Sequence, residues 1–258
     1  DAKGSFNVRY LLGLRKIIKS ERVDLIQSHL LGTNVYCSMA GLLTGKPVIA
    51  TFHGEVDIGE NERFKHLKFS VINTGASRIV AVTDSLRDDI LNRTSLPLEK
   101  ISVIYNGIDT SAFIRPRSCE LRRKYGWSED EIIIGSLGNI RPAKGYDVLL
   151  KTAAILEHGS HSYRFVIAGQ GKGKLYEDLL LLRKKLCLEE KVQFLGFIDD
   201  AADFLANIDI FLSSSISEGL PLSAIQAMVG AVPIVATRCG GYESLIIDGE
   251  NGMLTEVG

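Results

Sequence analysis

Short β-branched runs alternate with amphipathic stretches along nearly the whole chain, and that rhythm leaves few folds open. Residues 23–27, 47–52, 78–82 and 101–105 read as strands, and residues 6–20, 32–44, 61–76 and 84–93 as helices. Phe6, Leu11, Leu14 and Ile18 fall on one face of the first helix, and Thr83 or Asp84 caps the last. Strand, crossover helix, strand is the signature of parallel sheets. The rhythm pauses over the more polar residues 109–130, which read as a linker, and then restarts. Strands are expected at 132–137, 164–168, 192–195, 209–212 and 233–236, with helices at 145–157, 174–187 and 222–229. The expected fold class is α/β, with two Rossmann-like parallel-sheet domains over residues 1–109 and 110–258. Open sheets of this kind bind ligands outside the carboxyl ends of their strands. His53, Asn106, Gly138, Gly169, Gly196 and Glu218 all fall just after predicted strands, so two facing domains would gather them in one cleft.

Bulk properties exclude several functions. The 258 residues suffice for one large or two ordinary domains, a domain being about 100–150 residues. A net charge of −1 provides no field to attract nucleic acid, and no nucleic-acid partner is expected. Cys37, Cys119, Cys187 and Cys239 lie more than fifty residues apart, without CxxC spacing. That argues against a zinc site and for reduced, mostly buried thiols in a cytoplasmic protein. No apolar run approaches the ~20 residues needed to span a bilayer, and no signal peptide opens the chain. The first residue is Asp1 and the last motif stops at Gly258, so the chain reads as an excerpt truncated at both ends.

Residues 213–254 are the most informative stretch. An apolar strand runs into Ser213-Ser214-Ser215, then Glu218-Gly219-Leu220-Pro221, then a helix carrying Leu222, Ser223 and Gln226; a second strand ends at Gly240-Gly241. Pro221 suits the first turn of a helix, where its missing N–H would lack a partner anyway. The free amides there make a socket for an anion such as phosphate. Glu218 and Gln226 bracket that socket with groups suited to sugar hydroxyls.

Other loops add to it. Gly138-Asn139-Ile140-Arg141-Pro142-Ala143-Lys144-Gly145 joins a strand to a helix; Arg141 can grip two phosphate oxygens and Lys144 acts as a point charge. Taken alone, it also reads as a solvated basic loop. Gly169-Gln170-Gly171 is a glycine-rich turn, but Lys174 stands where a dinucleotide fingerprint needs glycine. His53, followed by Gly54, is better placed for a cleft than for a core; His29 occupies a similar strand end. There is no strict D-x-D, although Glu55-Val56-Asp57 and Asp248-Gly249-Glu250 come close. No bound metal is therefore expected, and the basic pair with the helix terminus would neutralise a diphosphate instead. Arg9, Arg15, Lys16 and Lys19, with Arg63, Lys65, His66 and Lys68, read first as solvated faces and second as peripheral contact with the inner membrane surface.

At these residues the chain resembles the retaining glycosyltransferases of the GT-B fold, in the group-1 or family-4 class. Matching pieces are His53-Gly54, residues 103–109, the Arg141 to Gly145 loop, Gly169-Gln170-Gly171, residues 192–197, and Glu218-Gly219-Leu220-Pro221 leading to Gln226, then Gly240-Gly241 and residues 248–252. The resemblance implies GT-B architecture, with the first domain binding an acceptor, sugar or lipid-linked, and the second a nucleotide-diphospho-sugar as co-substrate. Lys144, with Arg141 nearby, would neutralise the leaving diphosphate. Glu218 would contact the transferred sugar, backbone amides from Gly219 to Ser223 would hold sugar and phosphate, and Gln226 would face the ribose. The loop Gly196-Phe197-Ile198 would lie along the base, and His53 would touch the donor sugar. Retention is ascribed in this family to front-face attack, with the leaving phosphate helping to deprotonate the acceptor. Gln226 stands where the family has a second Glu, and Gly138-Asn139 where it often has Gly-Arg. A nucleotide-sugar epimerase and a catalytically degenerate binding protein are the alternatives.

Overall fold

A computed structural model describes residues 6–59, 62–157 and 159–258. It divides into two compact units, Asp1–Asn106 and Gly107–Gly258. In the first, the elements are α1 (Val8–Ser20), β1 (Ile26–His29), α2 (Leu31–Thr44), β2 (Val48–Phe52), α3 (Lys65–Gly75), β3 (Arg78–Ala81), α4 (Asp84–Arg93) and β4 (Ile101–Val103). Among the described residues they form a four-stranded sheet of order β1-β2-β3-β4, parallel throughout. The Asn7 side chain caps α1 by accepting from the Tyr10 amide, and Thr83 caps α4 by accepting from Leu86. Leu11 and Ile18 carry the apolar stripe of α1 into a cluster with Ile26, Tyr36, Ala40 and Val48. Phe6 lies outside that cluster, exposed and stacked on Tyr36. Arg9, Arg15, Lys16 and Lys19 are exposed.

Several boundaries differ from expectation. The first strand starts at Ile26 rather than Val23, because the Val23 amide closes α1 by donating to the Ile18 carbonyl, with Arg22 at φ 51°. The third helix begins at Lys65; Asn61, its expected start, lies outside the described residues.

The second unit holds α5 (Glu120–Tyr125), β5 (Ile132–Leu137), α6 (Tyr146–Leu156), β6 (Tyr163–Ala168), α7 (Lys174–Lys185), β7 (Val192–Gly196), α8 (Ala201–Ala206), β8 (Ile210–Ser213), α9 (Leu222–Val229), β9 (Ile234–Thr237) and β10 (Met253–Thr255). The sheet order is β10-β9-β8-β5-β6-β7, again parallel. Successive residues of a strand point to opposite faces, which splits the core. Ile133 and Val166 pack with Phe204, Leu205 and Ala224 on one side; Ile134 and Phe165 pack with Leu149, Leu150 and Leu179 on the other. A sheet covered on both faces explains why its strands are nearly continuous apolar runs.

The stretch expected to be a linker is instead an outer layer of this unit. Phe113, Leu121 and Trp127 pack on the first of those clusters. The Ser118 amide donates to the Ala206 carbonyl at 2.9 Å, and Arg122 reaches Asp209 at 2.7 Å. Its polar side chains are there to tie that layer down. Helix α8 falls between β7 and β8, where a helix was expected without stated bounds; strand β10 was not expected. Of the four thiols expected to be mostly buried, Cys37 and Cys239 are buried but Cys119 and Cys187 are exposed.

Candidate active site

The strand order places a topological switch between β5 and β8: the chain winds outward through β6 and β7, then returns to the other side of β5. Connections leaving such neighbours diverge and open a crevice beyond the strand ends. Two loops meet there. After β5 comes a 3-10 turn, Pro142–Lys144, ended by Gly145 at φ 58°. After β8 come Ser214, Ser215 and Ile216. The Ile216 amide donates to the Ala143 carbonyl at 2.8 Å, and Ser214 Oγ to the Lys144 carbonyl at 3.0 Å. Gly145 has the left-handed conformation glycine favours, and any Cβ there would strike the Ser214 carbonyl oxygen.

This stitching brings Lys144 Nζ to 2.6 Å from Glu218 Oε1. Ser215 Oγ donates to the same oxygen at 2.8 Å, Ser213 Oγ donates to Ser215 Oγ at 3.0 Å, and Thr237 Oγ1 donates to the Ser215 carbonyl. The charged side chains are 20% and 16% exposed, shielded enough that water screens the pair only partly. Behind Glu218 the backbone is backed by Gly240 and Gly241: the Gly241 amide donates to the Glu218 carbonyl at 2.9 Å, and a Cβ on Gly241 would overlap the Gly219 oxygen. Leu220 is buried, Pro221 is itself the N-cap of α9, and Pro221 offers no side-chain acceptor to the amides of the first turn. Those amides, around Leu222 and Ser223, remain free for an anion. Gln226 lies one turn further on, half-buried, with no side-chain hydrogen bond among the described residues.

Neighbouring loops are held by their own bonds. Tyr146 donates its hydroxyl to the Gly138 carbonyl at 2.7 Å, and burial pushes its pKa well up, so it stays a donor. The Gly138 amide bonds Ala168, and the Gly169 amide bonds Gly196, each at 2.8 Å. Gly171 lies against Tyr176 and Ile140. Asn139 Oδ1 accepts from the Gln170 amide at 2.9 Å, so this side chain fixes the glycine-rich turn. Arg141 is exposed, with no ion pair among the described residues. Phe197 is 70% exposed, while Ile198 packs on the core. Both line a hollow of about 470 Å³ with Leu121, Lys124, Asp200 and Phe204.

In the first unit His53 follows β2. Its amide donates to Asp57 Oδ2 at 2.8 Å, and its Nε2 lies 2.8 Å from His29 Nδ1. Burial, then the neighbouring His29, lower its pKa against the opposing pull of Asp57. The acidic near-matches to D-x-D have other partners: Asp57 is buried on backbone amides, and Asp248 pairs with Arg238 at 2.6 Å.

The family model described as Glycosyl transferases group 1 matches residues 118–258, more than half of the chain. The chain belongs to that family. A second family model, Glycosyltransferase Family 4, matches residues 1–112. The chain is 29% identical over 252 residues to an N-acetyl-alpha-D-glucosaminyl L-malate synthase from Bacillus anthracis, covering 95% of this chain and 64% of that one. It is 23% identical over 259 residues to an Escherichia coli UDP-Gal:alpha-D-GlcNAc-diphosphoundecaprenol alpha-1,3-galactosyltransferase, covering 97% and 67%. Anabaena Alr3699/HepE, solved in complex with UDP and glucose, superposes with a TM-score of 0.84 at 23% identity, over 95% of this chain and 68% of that one. The chain thus spans about two thirds of the length of these three proteins, and its fold is that of GT-B glycosyltransferases.

For this group 1 chain, sequence reasoning named Lys144 and Glu218 but missed what holds them. Ser213, Ser215 and Thr237 form the floor of the site; the run of three serines after a strand was the available signal. The His29 to His53 contact was also missed. Its signal was a histidine at the end of each of two strands that prove to be neighbours.

Proposed function

We propose that this chain is part of a glycosyltransferase that moves a sugar from a nucleotide-diphospho-sugar to an acceptor hydroxyl with retention of anomeric configuration. The observation that carries the reading is the contact between Lys144 and Glu218 at the switch point, beside the uncapped start of α9. A cation and free amides suit the diphosphate, and a carboxylate suits sugar hydroxyls. Lys144 neutralises charge as the diphosphate departs, with Arg141 as a second cation, and these groups do the work a divalent ion would otherwise do. Glu218 holds the transferred sugar, Gly219 to Ser223 the phosphates, Gln226 the ribose, and Phe197 with Ile198 the base. Gly138, Gly169 and Gly171 let the backbone approach, and His53 serves the donor sugar.

The comparisons support this choice of substrates. HepE was crystallised with UDP-glucose as well as with UDP, and the galactosyltransferase is named for UDP-Gal and a diphosphoundecaprenol-linked acceptor. The acceptor proposed here is accordingly a sugar or lipid-linked sugar, met in the cytoplasm at the inner membrane surface. Among the described residues no helix is long and apolar enough to cross a membrane; the exposed basic face of α1 would supply peripheral contact.

The test is a thermal-shift screen of the full-length protein against UDP-, GDP- and ADP-sugars, followed by product analysis with chelator present and NMR of the new anomeric linkage. Stabilisation by one donor class and transfer with retention are expected. Stabilisation without transfer or hydrolysis would establish a binding protein instead, and inversion or dependence on a metal would overturn the mechanism.

A further inference from the structure

We propose that His29 is a positioning residue that fixes which ring nitrogen of His53 carries its proton. The inference rests on the reading above, in which His53 serves the donor sugar.

Strand pairing is what brings the rings together. β1 and β2 run parallel with His29 opposite Thr51, so the first residue after β2 comes up beside the last residue of β1. Three contacts independent of the rings lock these strand ends. Asn34, wholly buried, accepts from Ser28 Oγ at 2.7 Å and donates to the Thr51 carbonyl at 3.0 Å. The Leu30 amide donates to the same carbonyl at 3.2 Å. Asp57 clasps both ends, accepting from the Leu31 amide at 3.3 Å and the His53 amide at 2.8 Å. The backbone of both histidines is therefore set before their side chains interact.

On that frame His29 Nδ1 and His53 Nε2 stand 2.8 Å apart, with ring centroids at 5.0 Å and planes 29° from parallel. A separation that short requires one nitrogen to donate and the other to accept. The two tautomers are then coupled, because in each imidazole the nitrogen in the shared bond decides the state of the other. His53 Nδ1, which makes no hydrogen bond among the described residues, then carries the proton if His29 Nδ1 donates and is bare if it accepts. The pair can hold one positive charge; a second proton would set two N–H groups head to head. Other ionisable groups around His53 do not replace His29. Asp57 spends both oxygens on backbone amides, and Glu55 in the same turn lies 4.0 Å from Arg93 of α4.

The experiment is ¹⁵N NMR of histidine-labelled full-length protein, with steady-state kinetics on the same samples. In the unsubstituted protein, each ring should show one fixed tautomer and a through-bond coupling between His29 Nδ1 and His53 Nε2. His29→Leu should abolish the coupling, leave His53 as a tautomer mixture, and lower kcat about tenfold with little change in KM. The acid limb of its pH–rate profile should move to higher pH, because His29 no longer lowers the His53 pKa. His29→Asn keeps an amide near the Nδ1 position and should restore the single tautomer and most of the rate. His29 is exposed, so neither variant should alter thermal stability. Imidazoles that titrate independently, with mixed tautomers in the unsubstituted protein, would overturn the proposal. If the coupling is present but His53→Ala transfers sugar at the normal rate, the pairing stands and the substrate role of His53 falls.

Discussion

Glu218 pairs with Lys144, the cation that the proposed diphosphate would use. On the proposed reading, a sugar-nucleotide donor would bring a partner for each member of the pair, phosphate for Lys144 and hydroxyls for Glu218. A nucleoside diphosphate brings only the first and strands a carboxylate that is 16% exposed. Glu218→Gln removes the competitor while keeping an acceptor for Ser215 Oγ. Two unit charges 4 Å apart attract by about 4 kcal/mol near a protein surface, but desolvation offsets most of this. The difference between a charged and a neutral hydrogen bond is about 1–2 kcal/mol. Since that is what diphosphate binding gives up, the variant should bind UDP about 5- to 30-fold more tightly. The sugar nucleotide should gain less, because the amide holds sugar hydroxyls less strongly than a carboxylate does. Isothermal titration of full-length protein with UDP, with inorganic pyrophosphate as a base-independent probe, reads the effect directly. Unchanged or weaker binding of both ligands in the variant would refute the competition.

Lys144→Ala should lower turnover on the order of 10²–10³-fold while moving KM little, because its charge counts most as the leaving group departs; rapid-quench assays check this. Gln226→Glu should tighten nucleotide binding about fivefold through a charge-assisted bond to the ribose, read by calorimetry. Gly145→Ala combines a left-handed backbone with a blocked approach to Ser214, and should cost about 2 kcal/mol or more, seen as a lower urea midpoint at constant slope. His53 has a lowered pKa, so the unfolded chain binds its proton first as pH falls. Its contribution is complete above about pH 6.5 and is lost as pH drops through the folded value; His53→Gln should flatten that part of the stability curve.

How much of this was legible beforehand depended on how local each signal was. Strand β5 was read with both ends right, because a β-branched run ends at Gly138. Helix α9 was equally plain, bounded by Pro221 and Gly230. Strand β1 slipped, since Val23 looks like a strand residue until its amide is seen closing α1. Residues 109–130 misled because polar composition was taken for a linker, whereas Arg122 uses its polarity to bond Asp209, Ser128 and Glu131 beneath a packed layer. Six-residue α8 was expected only from the strand–helix alternation, because it carries too little periodicity to show its bounds. Lys144 and Glu218 were expected in one cleft from their places after strand ends, but their direct contact was not read. It depends on β8 lying beside β5, and sheet order is decided by packing of the whole unit.

The loops carrying Lys144 and Glu218 lie about 70 residues apart in sequence, yet backbone bonds from Ile216 to Ala143 and the seat of Gly145 on Ser214 weld them together. Neither can be exchanged alone. A chimera that imports only one of them from a relative would inherit mismatched seams, so attempts to retune this protein toward another carbohydrate should transplant both as one cassette.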